Sequence, residues 1–159
     1  MKVQASGILI LIACILTGCG KSMKDVAGVY ETAEIKEPQS SATYYSTTWV
    51  LDLAESGTFT LKENRLRKSI VKTREPVPMD GIEESGAWSL NDGRITTTTK
   101  LWDEPDELSP VVFSVLKILF DIQSSGDLIA GGQFDVNFVE LPFTYENYDI
   151  EGLRFKRVE

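Results

Sequence analysis

The sequence predicts an all-β domain in which antiparallel strands form a meander that closes into a small barrel or sandwich. Three observations predict this fold class. Apolar and polar residues alternate over several short segments, glycine-containing turns recur about every 8–15 residues, and few stretches have the apolar period of an amphipathic helix. We therefore expect at most one or two short helices, following an N-terminal signal peptide.

Three segments have the pattern of a β-hairpin, with alternating strands on both sides of a turn. Asn, Asp and Gly in these turns tolerate the positive φ that tight hairpins need. The predicted strand pairs are 49–53 with 58–62 around turn 55–57, 87–90 with 94–99 around turn 91–93, and 118–122 with 128–130 around turn 124–127. Residues 134–138 and 153–157 alternate in the same way and are predicted as further strands.

One stretch, residues 109–117, allows two interpretations. Ser109 followed by Pro110 is a good helix start, but the Val and Phe residues that follow favour a strand. We predict a strand from about Leu116 onward, and residues 110–116 stay open between strand and one helical turn.

The N-terminus contains an uncharged apolar run, residues 8–16, preceded by the single cation Lys2. The run is shorter than the roughly 20 residues of a transmembrane helix and fits the ~7–15 residues of a signal-peptide core. A plain secretory signal and a single-pass anchor starting at Gly7 are the alternatives, and the glycines that end the run disfavour the anchor.

The run ends in Leu16-Thr17-Gly18-Cys19, which resembles the lipobox of bacterial lipoprotein precursors. The resemblance implies cleavage between Gly18 and Cys19, S-diacylglyceryl and N-acyl (palmitate) modification of Cys19, and attachment to a membrane through this lipid anchor. It divides the chain into a signal peptide (1–18), an acylated tether (19–27) and one β-domain (28–159). In proteobacterial lipoproteins, an Asp directly after the acylated cysteine resembles an inner-membrane retention signal, and this chain has Gly20 at that position. If the source has two membranes, we therefore expect the protein in the outer one, facing the periplasm or the surface.

Three phrases in the rest of the chain resemble the small lipocalin-like β-domains common among bacterial lipoproteins. They are Gly28-Val29-Tyr30, residues 51–59 and residues 85–90. In such domains a Gly-x-Tyr or Gly-x-Trp phrase opens the first strand, and a Gly-x-Trp strand follows a hairpin with a glycine turn. Envelope-stress lipoproteins of the copper-resistance type share this rhythm, but their Cys-x-x-Cys motif is absent here, so no metal or redox role is carried over.

The composition restricts the partners and the bonds of the mature chain. Loss of Lys2 with the signal leaves 15 of the 16 Lys and Arg residues against 24 Asp and Glu residues, a net charge of about −9. A surface this acidic repels nucleic acid and anionic lipid headgroups. Cys14 leaves with the signal and Cys19 is acylated, so no disulfide forms within the domain and a hydrophobic core must stabilise it.

The sequence indicates no catalytic site, no metal and no cofactor. Without His or a free thiol, Ser-His-Asp and Cys-His mechanisms and the usual zinc and copper sites are excluded. Ser69 with Lys72 and Ser114 with Lys117 match Ser-x-x-Lys, but the companion motifs of penicillin-binding folds are missing. The acidic run 103–107 matches no calcium-loop spacing and is interpreted as a solvated loop.

A basic segment is the strongest candidate for a contact surface. It predicts either an electrostatic contact with anionic lipid, glycan or an acidic partner, or a long hairpin edge whose cations prevent sheets from associating. Tyrosines at 44, 45, 145 and 148 are candidates to line a binding surface, with half-buried packing as the alternative. The six cations of the basic segment are Lys62, Arg65, Arg67, Lys68, Lys72 and Arg74.

Two classes of function follow from these observations. The first, which we favour, is a non-catalytic envelope binding module that carries a small apolar ligand in a barrel or docks an envelope protein near the membrane. The second is a carboxylate-dependent hydrolase of cell-wall or surface glycan. An apolar cavity with an open mouth would favour ligand carriage, a filled core would favour protein docking, and two inward carboxylates about 5–10 Å apart in a cleft would favour the enzyme.

Overall fold

Strands in the computed structural model pair antiparallel throughout, and helix is confined to one short segment of the described chain. The structure describes residues 20–71, 73–100, 114–137 and 150–158. Its elements are α1 (Met23–Val26), β1 (Gly28–Thr32), β2 (Ile35–Pro38), β3 (Thr43–Leu53), β4 (Thr58–Ser69), β5 (Val77–Met79), β6 (Glu83–Asn91), β7 (Arg94–Lys100), β8 (Ser114–Ile122), β9 (Leu128–Asn137) and β10 (Arg154–Arg157). The all-β prediction is confirmed.

Eight of these strands close a barrel. The order around the ring is β3, β1, β10, β9, β8, β7, β6 and β4, and β4 pairs back onto β3. Closure leaves no unpaired edge within the ring. Of the two architectures that the sequence allows, the barrel is the one observed.

The three predicted hairpins are confirmed as β3–β4, β6–β7 and β8–β9. Their turns contain Gly57, Gly93 and Gly126 at φ values of 87°, 75° and 88°, and Asp92 lies at φ 51°. Positive φ costs glycine little, so the turn residues of the sequence select these connections.

The remaining strand predictions agree with the structure where it describes them. Strand β8 begins at Ser114, two residues before the predicted start, while residues 101–113 lie outside the described residues. The predicted strands 128–130 and 134–138 are parts of a single strand, β9, which ends at Asn137. Strand β10 coincides with the predicted strand 153–157 to within one residue.

Large apolar side chains fill the barrel interior at the end where β3 turns into β4. Leu51, Leu53, Phe59 and Leu61 are at most 3% exposed. The rings of Phe120 and Phe155 meet edge to face, with centroids 5.5 Å apart. Further buried members of this core are Tyr30, Trp49, Trp88, Ile95, Leu116, Ile118, Leu128, Ala130 and Ile150. Burial of each large side chain contributes about 1.5–3 kcal/mol, so this core is the main stabilising term of the fold.

Helix α1 covers the same end of the barrel. The Asp25 carboxylate accepts hydrogen bonds from the Ser22 N–H (2.8 Å) and hydroxyl (2.7 Å), which fix the first turn and hold the pKa of Asp25 below its usual range. The Tyr30 hydroxyl donates to the Val26 carbonyl at 2.5 Å, and Val26 is 2% exposed. Met23, Val26 and Ala27, which lie in the segment that the sequence interpretation assigns to the tether, thus pack against the core.

Strands β3 and β4 extend beyond the barrel and form a second region, which we call the arm. In the arm, β2 pairs with residues 44–47 of β3, and β5 pairs with residues 65–67 of β4. The register between β3 and β4 is unbroken from the turn to the pair Thr43–Ser69. The arm is therefore a four-stranded sheet, in the order β2, β3, β4, β5, and it continues one side of the barrel wall.

A β-bulge separates the arm from the barrel along β4. The Glu63 N–H donates to the Ile82 carbonyl at 2.7 Å, which places Glu63 opposite Ile82. Two residues further along β4, Arg65 lies opposite Met79. Two residues, Asp80 and Gly81, therefore face the single residue Asn64. A Cβ on Gly81 would lie 2.1 Å from the Glu63 carbonyl oxygen, so the close approach of the two strands requires glycine here.

Candidate functional site

The basic segment lies mainly in the arm. Arg65, Arg67 and Lys68 are in the arm part of β4, and Arg74 is in the loop that follows. Lys62 is in the barrel part of β4, and Lys72 lies outside the described residues. The expectation that this strand forms a hairpin edge is wrong, because β4 lies between β3 on one side and β6 and β5 on the other.

An ion-pair cluster occupies the face of the arm that continues the outer barrel wall. The Lys68 ammonium donates to the Glu34 carboxylate at 2.6 Å, and the Ser46 hydroxyl donates to the same carboxylate. Lys36 lies 3.4 Å from Glu34 and 5.8 Å from the centroid of the Tyr44 ring. The hydrogen bond from Lys68, followed by that from Ser46, lowers the pKa of Glu34 to about 2, and the Glu34 carboxylate raises the pKa of Lys68.

A second cluster occupies the face that continues the barrel interior. The Arg65 guanidinium lies over the Tyr45 ring, 4.4 Å from its centroid, and 3.5 Å from the Glu37 carboxylate. The Arg65 Nε atom is buried and has no hydrogen-bond partner within the described chain. The two clusters lie on opposite faces because successive strand residues alternate in direction, which sends Tyr44 and Tyr45 to different sides of the sheet.

Ion pairs neutralise most of the β4 cations. Lys62 lies 3.6 Å from Glu83, Arg65 pairs with Glu37, and Lys68 pairs with Glu34. Arg67 and Arg74 are exposed and form no ion pair with any residue that the structure describes. Among the described cations of the basic segment, these two arginines are therefore the ones whose charge is available for an external contact.

Carboxylates near the arm have structural contacts. The strand register places Glu63 and Glu84 on the interior face, as diagonal neighbours on β4 and β6. One Glu63 oxygen accepts the Ile82 N–H at 3.3 Å, next to the bulge. No group of three or more acidic, His or Cys side chains is arranged as a metal site in the described ranges, and the acidic run 103–107 lies outside them.

A depression of about 180 Å³ lies between β4 and residues 78–83, below the roughly 300–1,000 Å³ of pockets that enclose drug-sized ligands. The lipobox, Cys19 and the tyrosines at 145 and 148 lie outside the described residues, so their roles stay predictions. Among the helices of the described chain, none has the length and apolar character to cross a membrane.

Comparisons of this chain with protein-family models, with curated proteins and with solved structures found no match. The functional assignment therefore depends on the sequence motifs and the geometry described above.

Sequence reasoning missed one feature of this region, the exposed apolar residues at the end of the arm. Ile70 and Val71 lie within the basic segment, which the sequence allows as a long hairpin edge, but the structure places them in the loop after β4, where they are 59% and 57% exposed. The length of the strand was an available signal. Without Ile70 and Val71, β4 already has 12 residues, whereas typical strands have about 5–6, so a strand that included both would be unusually long.

Proposed function

We propose that this protein is a lipid-anchored cell-envelope lipoprotein that acts as a non-catalytic binding module and docks a protein partner on the arm. The observation that carries the proposal is the division of the molecule into a barrel with an apolar core and a projecting polar arm. Apolar side chains occupy the described barrel interior, which supports protein docking over carriage of a small apolar ligand.

The chemistry of the arm supports a docking role. It presents Tyr44 and Tyr45 beside cations that their neighbours hold in place, and Tyr and Arg are enriched in the residues that dominate binding energy at protein interfaces. Ion pairs pre-position these side chains, which reduces the conformational entropy lost on binding.

The hydrolase alternative has less support. A two-carboxylate mechanism needs one carboxyl group as acid and a second as base or nucleophile, on both sides of a bound glycan. Of the two inward glutamates, Glu63 is engaged by the Ile82 amide at the bulge. No observation on the described residues favours the enzyme over the binding module.

The proposed anchor agrees with the position of α1. Met23 is only four residues after Cys19, so the lipid would hold the pole of the barrel that α1 covers. Cys19→Ser should release the chain from the membrane fraction and remove the lipid mass from the purified protein. An unmodified Cys19 in the intact-protein mass spectrum would contradict the anchor.

Docking on the arm is testable with a photo-crosslinking amino acid in the native envelope. We expect a probe at Tyr44 to form a discrete protein adduct, whereas a probe at Ser89, an exposed position on the outer wall of β6, should not. Proteins and lipids attached to each probe are identified by mass spectrometry. Recovery of neither from position 44, or equal adducts from both positions, would contradict the proposal.

A further inference from the structure

Exposed apolar side chains concentrate along the outer strand β5 of the arm and in the loop at the end of the arm. Five large hydrophobic residues are exposed in the described chain, and four of them, Ile70, Val71, Val77 and Met79, belong to β5 and to the loop between β4 and β5. The fifth, Val158, follows β10 at the end of the chain. We call the segment 67–79 the tip. Exposed apolar residues are normal singly, but a cluster of them marks a contact surface.

The tip also differs from the rest of the chain in charge. It contains four cations and one carboxylate, Glu75, in a chain of net charge −8. Of the cations, Arg67 and Arg74 have no ion-pair partner within the described residues. Interactions between exposed charges more than about 8 Å apart are largely screened at physiological salt. An anionic surface at the tip is therefore attracted by these cations, while its repulsion by the acidic barrel is screened.

The backbone N–H groups of the two most exposed apolar residues of the tip have internal partners. The Ile70 N–H donates to the Ala42 carbonyl at 3.0 Å, and the Val71 N–H donates to the Ser69 hydroxyl at 3.2 Å. A loop can enter the edge of a bilayer only if its backbone polar groups have partners, since each unpaired group is costly there. The turn therefore presents two adjacent aliphatic side chains without exposing two unpaired donors.

Two proline residues disfavour addition of a partner strand to the arm. Pro38 is in β2 and Pro78 is in β5, the two outer strands of the arm. Proline has no N–H to donate to a further strand and is typical of protected sheet edges. Contact at the tip is therefore expected through side chains.

We infer that the tip inserts Ile70 and Val71 into the headgroup region of an anionic membrane surface, with Arg67 and Arg74 paired to lipid phosphates. The four apolar side chains are aliphatic or thioether groups with no aromatic ring, whereas the residues that dominate protein interfaces are Trp, Tyr and Arg, with Val under-represented. Aliphatic groups next to Lys and Arg are the chemistry of interfacial lipid binding.

The two poles of the molecule would then both contact lipid. Helix α1 covers the pole at the β3–β4 turn, and the tip lies at the other end of β3 and β4. The 11 residues of β3 span roughly 36 Å at about 3.3 Å per residue. The inference goes beyond the proposed protein docking, and lipid binding at the tip does not require the anchor.

The test uses the full acylated chain with Val71→Cys, labelled with an environment-sensitive fluorophore and reconstituted into vesicles. If Cys19 is acylated and Cys14 removed, the new cysteine is the single free thiol of the mature chain. In phosphatidylcholine vesicles that contain phosphatidylglycerol, we expect the emission of the fluorophore to shift to the blue and to be quenched by spin-labelled lipid. The same label at Ser89→Cys should show neither, and circular dichroism verifies that both variants are folded.

Charge dependence separates lipid binding from non-specific burial of the label. Arg74→Gln should lower the ratio of inserted to free tip about fivefold, since a cation near an anionic surface contributes roughly 1 kcal/mol. Lys156→Gln, the same charge change on an exposed barrel strand, should leave the ratio unchanged.

The inference would be overturned if the label at position 71 stayed exposed to water in vesicles with and without phosphatidylglycerol, or if Arg74→Gln and Lys156→Gln had equal effects. A response that appeared only in native membranes would also overturn it, because it would require a protein. Two other measurements show whether the lipid anchor is absent. If Cys19 is not acylated, the wild-type chain takes up fluorophore and the protein is lost from phosphatidylcholine vesicles, whatever the signal at position 71.

Discussion

The barrel and the arm are made from the same two strands but differ in what stabilises them. In the barrel half of β3 and β4, the residues facing each other on the interior side are Leu51 with Leu61 and Leu53 with Phe59. In the arm half, the same face pairs Thr47 with Arg65 and Tyr45 with Arg67. A continuous register thus carries an apolar core at one end and a polar surface at the other.

Because different contacts stabilise the barrel and the arm, the two regions need not open together. Burial of large apolar side chains stabilises the closed ring, in which every strand has two neighbours. The arm depends on its backbone ladder and on surface ion pairs, which contribute little because water and salt screen them. We therefore expect the arm to open locally at a lower free energy than global unfolding of the barrel.

Truncation of a barrel side chain should have the largest effect on stability. Phe120 is fully buried against Phe155, and Phe120→Ala should lower the free energy of unfolding by about 3–5 kcal/mol. Val158→Ala, at a position that is half exposed, should change it by less than about 0.5 kcal/mol. Urea denaturation measures both, and a cost below about 1 kcal/mol for Phe120→Ala would show that the barrel is loosely packed.

Two glycines with similar local crowding, one in the barrel and one beside the arm, should differ in the effect of an added methyl group. A Cβ would lie 2.2 Å from the Thr98 carbonyl oxygen at Gly86 in the barrel and 2.1 Å from the Glu63 carbonyl oxygen at Gly81 beside the arm. Gly86→Ala should lower global stability by about 1–3 kcal/mol, the usual cost of overpacking. Gly81→Ala should mainly accelerate amide exchange at Arg65 and Arg67, with a smaller shift of the urea midpoint. Equal shifts of the midpoint would contradict separate opening.

Loss of the ion pair between Glu34 and Lys68 should affect stability less than the core and glycine substitutions do. The pKa of Glu34 lies at about 2, below the ordinary value of 4.5, because the folded arm stabilises the ionised carboxylate, chiefly through Lys68. The contribution to arm stability is therefore complete above pH 4.5 and is lost as the pH falls toward 2. Lys68→Gln should move the pKa of Glu34 upward more than Lys36→Gln does, as measured by carboxyl carbon NMR titration. An unchanged pKa in Lys68→Gln would remove the assigned cause.

The sequence predicts the barrel better than the arm for a physical reason. Alternation around Gly57, Gly93 and Gly126 specifies local hairpins, because a two-residue period and a turn with positive φ are both visible in the chain. The arm depends on long-range pairing, such as Lys68 with Glu34 and Arg65 with Glu37, and on a bulge at Gly81. No local pattern indicates which carboxylate a cation will meet, so the basic segment was recognised but its partners were not.

We propose that apolar side chains fill the barrel interior and that binding takes place outside it. Trp49 and Trp88 are buried in the barrel interior, and replacing Trp102 with Phe leaves them as the two remaining tryptophan reporters. Titration of this variant with a spin-labelled fatty acid measures access to the interior. A filled barrel predicts no saturable quenching of tryptophan fluorescence, whereas saturable quenching with one-to-one stoichiometry would show that the barrel holds an apolar ligand and would contradict the claim.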